Sequence, residues 1–322
     1  MSKRAVITFA ASLVVQAYAA TPPSPLDPNA VNNPQQPQIA VGAKGVAVLR
    51  AQVLLDRAHF SCGEIDGEFG SNLEKTVRAF QGEHGLPVTG IVDAATWNAL
   101  NADSAPAITT ATIQPDDVKG PFTAIPNDLM KQAELPELGY ASPLEGLAER
   151  FHASPEVLRQ LNPKVDFAKD QQQINIPNAL TLPPGEAKRV IVSKGESSVR
   201  ALDGSGKLLA FYVATIGSEH DPLPVGEWKI KGVAHNPKFH YNAQLFWDAK
   251  NSDDKATIQP GPNNPVGVVW IDLSKEHYGI HGTPDPAKVG HATSHGCIRL
   301  TNWDALELAS MVKPNTPATL QE

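Results

Sequence analysis

Apolar and polar residues change their spacing along this chain. Over residues 41–100 apolar side chains recur at helical spacing, for example Val46, Leu49 and Val53. Over residues 188–321 the spacing changes to period two, with many β-branched residues, which indicates strands. Because these strands follow one another without intervening helices, the pattern predicts a mainly-β domain, built as a sandwich or barrel.

The 41–100 stretch predicts a small three-helix bundle. Ser71–Glu74 has the Ser-x-x-Glu pattern of a capping box, which predicts the start of the second helix. Asp93 is positioned to cap a short third helix that carries Trp97. Glycines between these segments predict tight turns.

Two short helices and a closing strand are predicted over residues 123–180. Ser142 and Ser154 each precede a proline, which is the arrangement of an N-cap followed by the first helical position. Gln173–Pro177 is typical of a strand. Residues 21–40 and 101–122 are rich in small or polar residues and proline, and we expect both to be linkers, the first of them extended and disordered.

The β pattern of the last third can be divided into strands. The predicted strands are Arg189–Ser193, Ser198–Asp203, Lys207–Gly217, Gly226–Val233, Val268–Leu273 and Tyr278–Gly282. A hairpin turn is predicted at Asp203–Gly206. A late helix is expected over Trp303–Val312, capped by Asn302, with Leu306 and Met311 buried.

Length and charge narrow the classes of function. A chain of 322 residues predicts two or three domains. The net charge of −7 argues against a nucleic-acid partner, because nucleic-acid binding needs a basic face.

Residues 1–20 have the features of an export signal. Lys3 and Arg4 precede an uncharged, mostly apolar run, and Ala17-Tyr18-Ala19 fits a small-x-small cleavage site. The alternative is an uncleaved anchor, but the run is too short to cross about 30 Å of hydrocarbon. We therefore expect an exported protein with no membrane span after cleavage.

Ser294-His295-Gly296-Cys297-Ile298-Arg299 carries the strongest chemical signal, because it holds one of only two cysteines. His281 lies sixteen residues before Cys297, at the end of a predicted strand. A thiol with a nearby base suits a cysteine nucleophile, whose reactive form is the thiolate, and a paired imidazole can lower the thiol pKa.

Two structural alternatives apply to Cys297. It could form a disulfide with Cys62, since exported proteins often pair their cysteines. It could also join His281, His291 and His295 in a zinc site, although no second cysteine lies nearby. We expect no metal and no cofactor, and we expect Cys62 to be a small buried apolar side chain.

The motifs around His281 and Cys297 resemble those of the YkuD-type L,D-transpeptidases over residues 188–321. Supporting stretches include Leu223–Trp228, Asn236–Phe239, Gly261–Pro265 and Tyr278–Thr283. The resemblance implies that Cys297 is the nucleophile and His281 its proton acceptor and donor. It also implies attack on the third residue of a peptidoglycan stem tetrapeptide, release of D-alanine and transfer of the acyl group to an amine.

Further site residues follow from this resemblance. The backbone N–H groups of Gly296 and Cys297 are candidates for an oxyanion hole, and Arg299 is expected to orient a substrate carboxylate or the loop. Ser294, His295 and Tyr278 are expected near the substrate or the loop, with His295 a second candidate base. Some family members carry Ser or Asp after the base histidine, where this chain has Gly282. A backbone carbonyl would then have to fix the imidazole tautomer.

The N-terminal half resembles wall-binding modules. Residues 41–100 resemble the peptidoglycan-binding domain 1 family through Ile65–Gly70, Val77–Gln81, Gly85–Gly90 and Thr96–Leu100. Residues 123–180 resemble a degenerate LysM module. The expected partners are peptidoglycan stem peptides and glycan in a periplasm, and the acceptor is a neighbouring stem, a lipoprotein or water. The alternatives are an L,D-carboxypeptidase and a non-catalytic wall-binding protein.

Overall fold

The computed structural model describes residues 25–245, 255–294 and 296–322. The predicted export signal lies outside these ranges. Within them no helix is long and apolar enough to cross a membrane. The α-helices are α1 Pro28–Asn32, α2 Val46–Arg57, α3 Ser71–Glu83, α4 Ala94–Leu100, α5 Leu129–Gln132, α6 Pro143–Arg150, α7 Pro155–Leu161 and α8 Asn302–Met311. Short 3-10 turns occur at Pro115–Val118, Ala243–Leu245 and Pro286–Lys288.

Most strands belong to the C-terminal part of the chain. They are β1 Phe60–Ser61, β2 Ile108–Thr112, β3 Gln173–Pro177, β4 Arg189–Ser193, β5 Ser198–Leu202, β6 Leu208–Val213, β7 Thr215–Ile216, β8 Gly226–His235, β9 Phe239–Asn242, β10 Lys255–Ile258, β11 Val269–Leu273, β12 Gly279–His281, β13 Ile298–Arg299 and β14 Pro317–Gln321.

One large sheet dominates the C-terminal part, in the order β1-β6-β5-β4-β14-β8-β11-β12-β13-β7. Only Ala214 separates β6 from β7, yet these strands lie near opposite ends of that order. The sheet must therefore curl until its two ends approach each other. This topology brings β7 beside β13, the strand that directly follows Cys297.

The β-rich character of residues 188–321 is confirmed, and so is the turn after β5. Asp203 Oδ1 accepts from the Ser205 and Lys207 amides at 2.8 and 2.9 Å, which closes the hairpin. The period-two pattern does not predict β9, β10, β13 or β14. β13 has only two residues, and β14 begins with Pro317, a residue type that rarely occurs inside a central strand.

The N-terminal helical domain contains α2, α3 and α4 around a core that includes Phe80 and Trp97. Asp93 caps α4 as expected, with Oδ1 accepting from the Thr96 amide at 2.9 Å. The prediction of a capping box at Ser71–Glu74 is wrong. Ser71 is already the first helical residue, so the cap position falls on Gly70, which has no side chain to accept a hydrogen bond.

Parts of both predicted linkers are ordered. Val31 of α1 is fully buried, and Ile39 pairs with Val92 of the helical domain. Within 101–122, β2 pairs antiparallel with β3, and Ile108 is buried. The linker predictions are wrong for these stretches, because a few isolated apolar residues dock an otherwise polar chain.

Residues 101–180, here called the middle segment, place α6 and α7 between the paired strands β2 and β3. Ser142 Oγ accepts from the Glu145 amide at 3.2 Å, and Ser154 Oγ accepts from the Val157 amide at 3.1 Å. Both predicted N-caps are therefore present.

The late helix differs from its prediction at its start. Thr301 caps α8 by accepting from the Asp304 amide at 3.1 Å, so Asn302 is the first helical residue and its side chain is free for other contacts. Met311 is buried as expected, but Leu306 is 43% exposed.

The helical domain packs directly on the β-rich domain. β1 runs parallel to β6, and the His59 carbonyl accepts from the Phe211 amide at 2.8 Å. Phe211 and Val213 of β6 belong to the same apolar cluster as Phe60 and Phe80. The two domains thus share one core.

Truncating Phe211 tests this shared core. Phe211→Ala is expected to lower the free energy of unfolding by about 3–5 kcal/mol, because it opens a cavity at the interface. Leu182→Ala is the matched control, since Leu182 is 87% exposed, and it should change stability by less than about 0.5 kcal/mol. Urea denaturation of the full chain measures both. Equal effects for the two variants would contradict the shared core.

Candidate active site

Two parallel strands place His281, Cys297 and Arg299 on one face of the sheet. β12 and β13 pair with Ile280 opposite Ile298 and His281 opposite Arg299. Both isoleucines are fully buried in the apolar core. Because side chains alternate between faces along a strand, His281 and Arg299 lie on the opposite face. Cys297, two residues before Arg299, shares that face.

The imidazole of His281 packs against an indole. Trp270 of β11 lies opposite His281, and their rings stack with centroids 5.4 Å apart and planes 17° apart. Gly279 leaves the space that this indole needs, because a Cβ there would lie 2.6 Å from Trp270 Cε2. The packing holds the imidazole plane in one orientation.

His281 is fixed as a neutral base. It is 3% exposed, and its Nδ1 lies 2.6 Å from the Gly282 carbonyl oxygen. A carbonyl oxygen can only accept, so Nδ1 carries the hydrogen and Nε2 is left as an acceptor. Burial, with a smaller contribution from Arg299, lowers the pKa of His281 to about 3. At neutral pH the ring is therefore neutral, with its one N–H hydrogen on Nδ1.

The backbone carbonyl that fixes the tautomer of the His281 imidazole is therefore that of Gly282. A Cβ on Gly282 would lie 2.1 Å from Asn302 Oδ1. The Ser or Asp side chain that some YkuD-type proteins carry at this position has no room here. The main chain performs the orienting role that a side chain would otherwise perform.

The surroundings of Cys297 favour the thiol over the thiolate. The residue is partly exposed, and its Sγ donates to the His277 carbonyl at 3.7 Å. Burial of the sulfur raises the pKa of the thiol, and Asp221 adds to the rise, while the Gly279 amide and Arg299 act in the opposite direction. The expected lowering of this pKa by a paired imidazole is not what the structure shows, because His281 is neutral.

The disulfide alternative is wrong. Cys62 and Cys297 are both free thiols, and Cys62 is buried in the core of the helical domain. Cys62 is therefore the small apolar side chain that its sequence context predicts.

The residues around Cys297 shape its loop. Ser294 Oγ donates to the Cys297 carbonyl at 2.5 Å, and the Ser294 amide donates to the Gly217 carbonyl at 3.1 Å. Gly296 has a φ of +91°, and a Cβ there would lie 2.8 Å from Tyr278 Cε1. Only glycine meets both conditions. His295 lies outside the described residues, and His291 is exposed.

Arg299 is partly buried, and burial lowers the pKa of its guanidinium. Its Nε is buried and has no hydrogen-bond partner in the part of the chain that the structure describes. A buried cationic donor without a partner is costly, so this group is suited to receive an acceptor from a ligand.

Comparisons with known proteins identify two domain families in this chain. The family model for the L,D-transpeptidase catalytic domain matches residues 187–320, and the model for a peptidoglycan binding domain matches residues 44–100. The L,D-transpeptidase YkuD of Bacillus licheniformis is 32% identical over 182 residues, which covers 55% of this chain and 92% of that protein. The chain belongs to the YkuD family of L,D-transpeptidases.

Other relatives are also named as L,D-transpeptidases. The YkuD protein of Bacillus subtilis is 30% identical over 55% of this chain and 92% of its own length. The L,D-transpeptidase YbiS of Escherichia coli is 27% identical over 56% of this chain and 60% of its own length. The match over residues 44–100 confirms the predicted peptidoglycan-binding family.

Sequence reasoning missed three residues of this L,D-transpeptidase site. Trp270 stacks on His281, Asn302 packs on Gly282, and Asp221 acts electrostatically on Cys297 and Tyr278. The position of Trp270 could have been predicted from sequence, because it lies in the predicted strand Val268–Leu273, where side chains alternate between the two faces. Asp221 and Asn302 depend on how distant segments pack, and no local pattern marks them.

No three His, Cys, Asp or Glu side chains among residues 25–245, 255–294 and 296–322 are grouped to hold a metal ion. The zinc alternative also involved His295, which is not among them.

The pH dependence of Cys297 alkylation tests these protonation states. In a Cys62→Ala background, the rate with iodoacetamide should stay low through neutral pH. It should keep rising above the ordinary thiol pKa of about 8.5, because only the thiolate reacts and burial raises the Cys297 pKa. A plateau of rapid alkylation that begins below pH 7 would instead reveal a thiolate–imidazolium pair.

Proposed function

We propose that the enzyme cuts a peptidoglycan stem tetrapeptide after its third residue and passes the acyl group to an amine of a neighbouring stem. The observation that carries the proposal is the shared face of His281, Cys297 and Arg299, with His281 Nε2 left as an acceptor. The peptidoglycan-binding match over residues 44–100 supports a wall substrate.

The reaction begins with proton transfer from the Cys297 thiol to His281 Nε2 as sulfur attacks the carbonyl carbon. The C–S bond forms, the tetrahedral intermediate collapses, and the peptide C–N bond breaks. The departing D-alanine amine takes the proton from His281. Positioned proton transfer of this kind contributes about 10²–10⁴ in rate.

The second half reverses the roles of these groups. An acceptor amine attacks the thioester carbon and gives its proton to His281. The new C–N bond forms, the C–S bond breaks, and the Cys297 thiol is restored. One peptide bond replaces another, so the exchange needs no nucleotide and no cofactor.

Gly296 and Cys297 are proposed to supply the oxyanion hole through their backbone N–H groups. The positive φ of Gly296 turns the chain sharply just before the nucleophile. Loss of one oxyanion donor typically costs about 10²–10³ in rate.

Arg299 and Asp221 are proposed to contact charged groups of the substrate. Arg299 Nε and Asp221 Oδ2 are both buried and lack a hydrogen-bond partner within the described residues. A cation and an anion placed near the same thiol are suited to bind the carboxylate and the ammonium of an amino-acid moiety. Ser294, Tyr278 and His295 are proposed to support the loop or the substrate.

The N-terminal half is proposed to hold the enzyme on the wall, with the middle segment acting as a LysM-like glycan-binding module. The pairing of β2 with β3, with the helices α5, α6 and α7 between them in the sequence, supports that assignment. An enzyme of the cell wall works outside the cytoplasm, and the export signal supports a periplasmic location. A lipoprotein amine is an alternative acceptor at the same thioester.

Covalent labelling tests the nucleophile. Incubation with a carbapenem should add the mass of one inhibitor to the wild type and to Cys62→Ala, but not to Cys297→Ala. Cys62→Ala is the matched control because Cys62 is buried in another domain. Intact-protein mass spectrometry gives the readout. A folded wild type that forms no adduct, or an adduct on Cys297→Ala, would sink the assignment.

Product analysis tests transfer against hydrolysis. Purified disaccharide tetrapeptide should yield free D-alanine together with cross-linked dimers, which liquid chromatography with mass spectrometry resolves. Tripeptide monomers without dimers would show that water is the acceptor and that the enzyme is a carboxypeptidase.

A further inference from the structure

A glutamate of the middle segment reaches the active-site region. Glu149 of α6 accepts from Asn302 Nδ2 with both carboxylate oxygens, each at 3.1 Å. Tyr140 Oη donates to Glu149 Oε1 at 3.1 Å. The two bonds between Asn302 and Glu149 join residues that are 153 positions apart in sequence.

Asn302 lies directly against the main chain that orients His281. It is 1% exposed. A Cβ on Gly282 or on Gly267 would lie 2.1 or 2.0 Å from Asn302 Oδ1. The Asn302 amide therefore packs on Gly282, the residue whose carbonyl accepts from His281 Nδ1 at 2.6 Å. A shift of the Asn302 side chain would move that carbonyl.

The hydrogen bonds of Asn302 define a single orientation of its amide. Oδ1 accepts from the Val268 amide at 3.2 Å, while Nδ2 donates to the Pro262 carbonyl at 3.1 Å as well as to Glu149. A flipped amide would place a donor against the Val268 N–H and an acceptor against the Glu149 carboxylate. In its ionised form Glu149 helps to exclude the wrong orientation, although burial raises the pKa of this carboxyl to about 7.

We propose that Glu149 is a positioning residue for His281, acting through Asn302 and the Gly282 carbonyl. The inference rests on the proposed function, because it concerns the base of that reaction. It assigns the middle segment a role in catalysis that is separate from wall binding: this segment completes the support of the imidazole. Misplacement of a catalytic group by about 1 Å can cost about 10²-fold in rate.

The competing explanation is that Glu149 only docks the middle segment. Glu145 provides the matched control, since it lies on the same helix and also contacts the β-rich domain. Its Oε1 accepts from Asn263 Nδ2 at 2.6 Å, and within the described residues Glu145 makes no hydrogen bond to Asn302 or Gly282. Removal of Glu145 therefore weakens docking of the same helix and leaves the Asn302 amide held by Glu149.

The test compares full-length Glu149→Ala and Glu145→Ala with the wild type. Glu149→Ala should lower the acylation rate by a carbapenem about 10- to 100-fold, and Glu145→Ala should change it less than about twofold. Glu149→Gln keeps an acceptor oxygen for Asn302 and should recover most of the rate. If Glu149→Ala does not fold, Glu149→Asp carries the same expectation, because its carboxylate stops one methylene short of Asn302.

A second readout separates positioning from docking. ¹⁵N NMR of the His281 ring should show a single Nδ1–H tautomer in the wild type and Glu145→Ala, and a mixture in Glu149→Ala. If the wild type is acylated and Glu149→Ala has the same acylation rate and the same ring signals, this inference is overturned while the proposed function stands. A wild type that is not acylated at Cys297 would instead overturn the proposed function.

Discussion

The hydrogen bond from His281 Nδ1 to the Gly282 carbonyl is the constraint on which the rest of the site depends. It assigns the ring hydrogen to Nδ1 and leaves Nε2 as the acceptor on the face that His281 shares with Cys297. Burial keeps the ring neutral, since it lowers the His281 pKa to about 3. Burial also raises the pKa of the Cys297 thiol, which lies on the same face of the sheet. Both shifts favour the uncharged forms of the two groups.

Glycine residues make this arrangement possible. Gly279 admits the Trp270 indole that stacks on His281, and Gly282 admits the Asn302 amide behind the orienting carbonyl. Gly296 supplies the positive φ that the chain needs just before Cys297. Each glycine thus allows a close approach that a Cβ would prevent.

The N-terminal half is part of the same folded body. β1 extends the large sheet through β6, and the helical domain shares its core with Phe211 and Val213. Glu149 of the middle segment accepts hydrogen bonds from Asn302 of the β-rich domain. The domain that matches the peptidoglycan-binding family is therefore packed directly against the catalytic domain.

Much of this could be predicted from sequence. The spacing of apolar residues predicts the helical and β-rich domains, and the motifs around His281 and Cys297 predict the two residues that the proposed reaction uses. The partial order of the linkers could not be predicted, since single residues such as Val31 dock there against distant partners. The pKa shifts of His281 and Cys297 could not be predicted either, because they depend on burial, and the His281 tautomer depends on the Gly282 carbonyl. The role of Asn302 could not be predicted, because it depends on where the side chain lies. The capping pattern placed Asn302 at the N-cap of α8, a position that Thr301 occupies.

A ¹⁵N NMR titration of the His281 imidazole in the wild-type enzyme tests the central claim most directly. The account predicts a neutral ring with hydrogen on Nδ1 throughout pH 5–8, since the His281 pKa is lowered to about 3. A ring that gains its second proton near the ordinary histidine pKa of about 6.5, or one that carries its hydrogen on Nε2, would contradict the account.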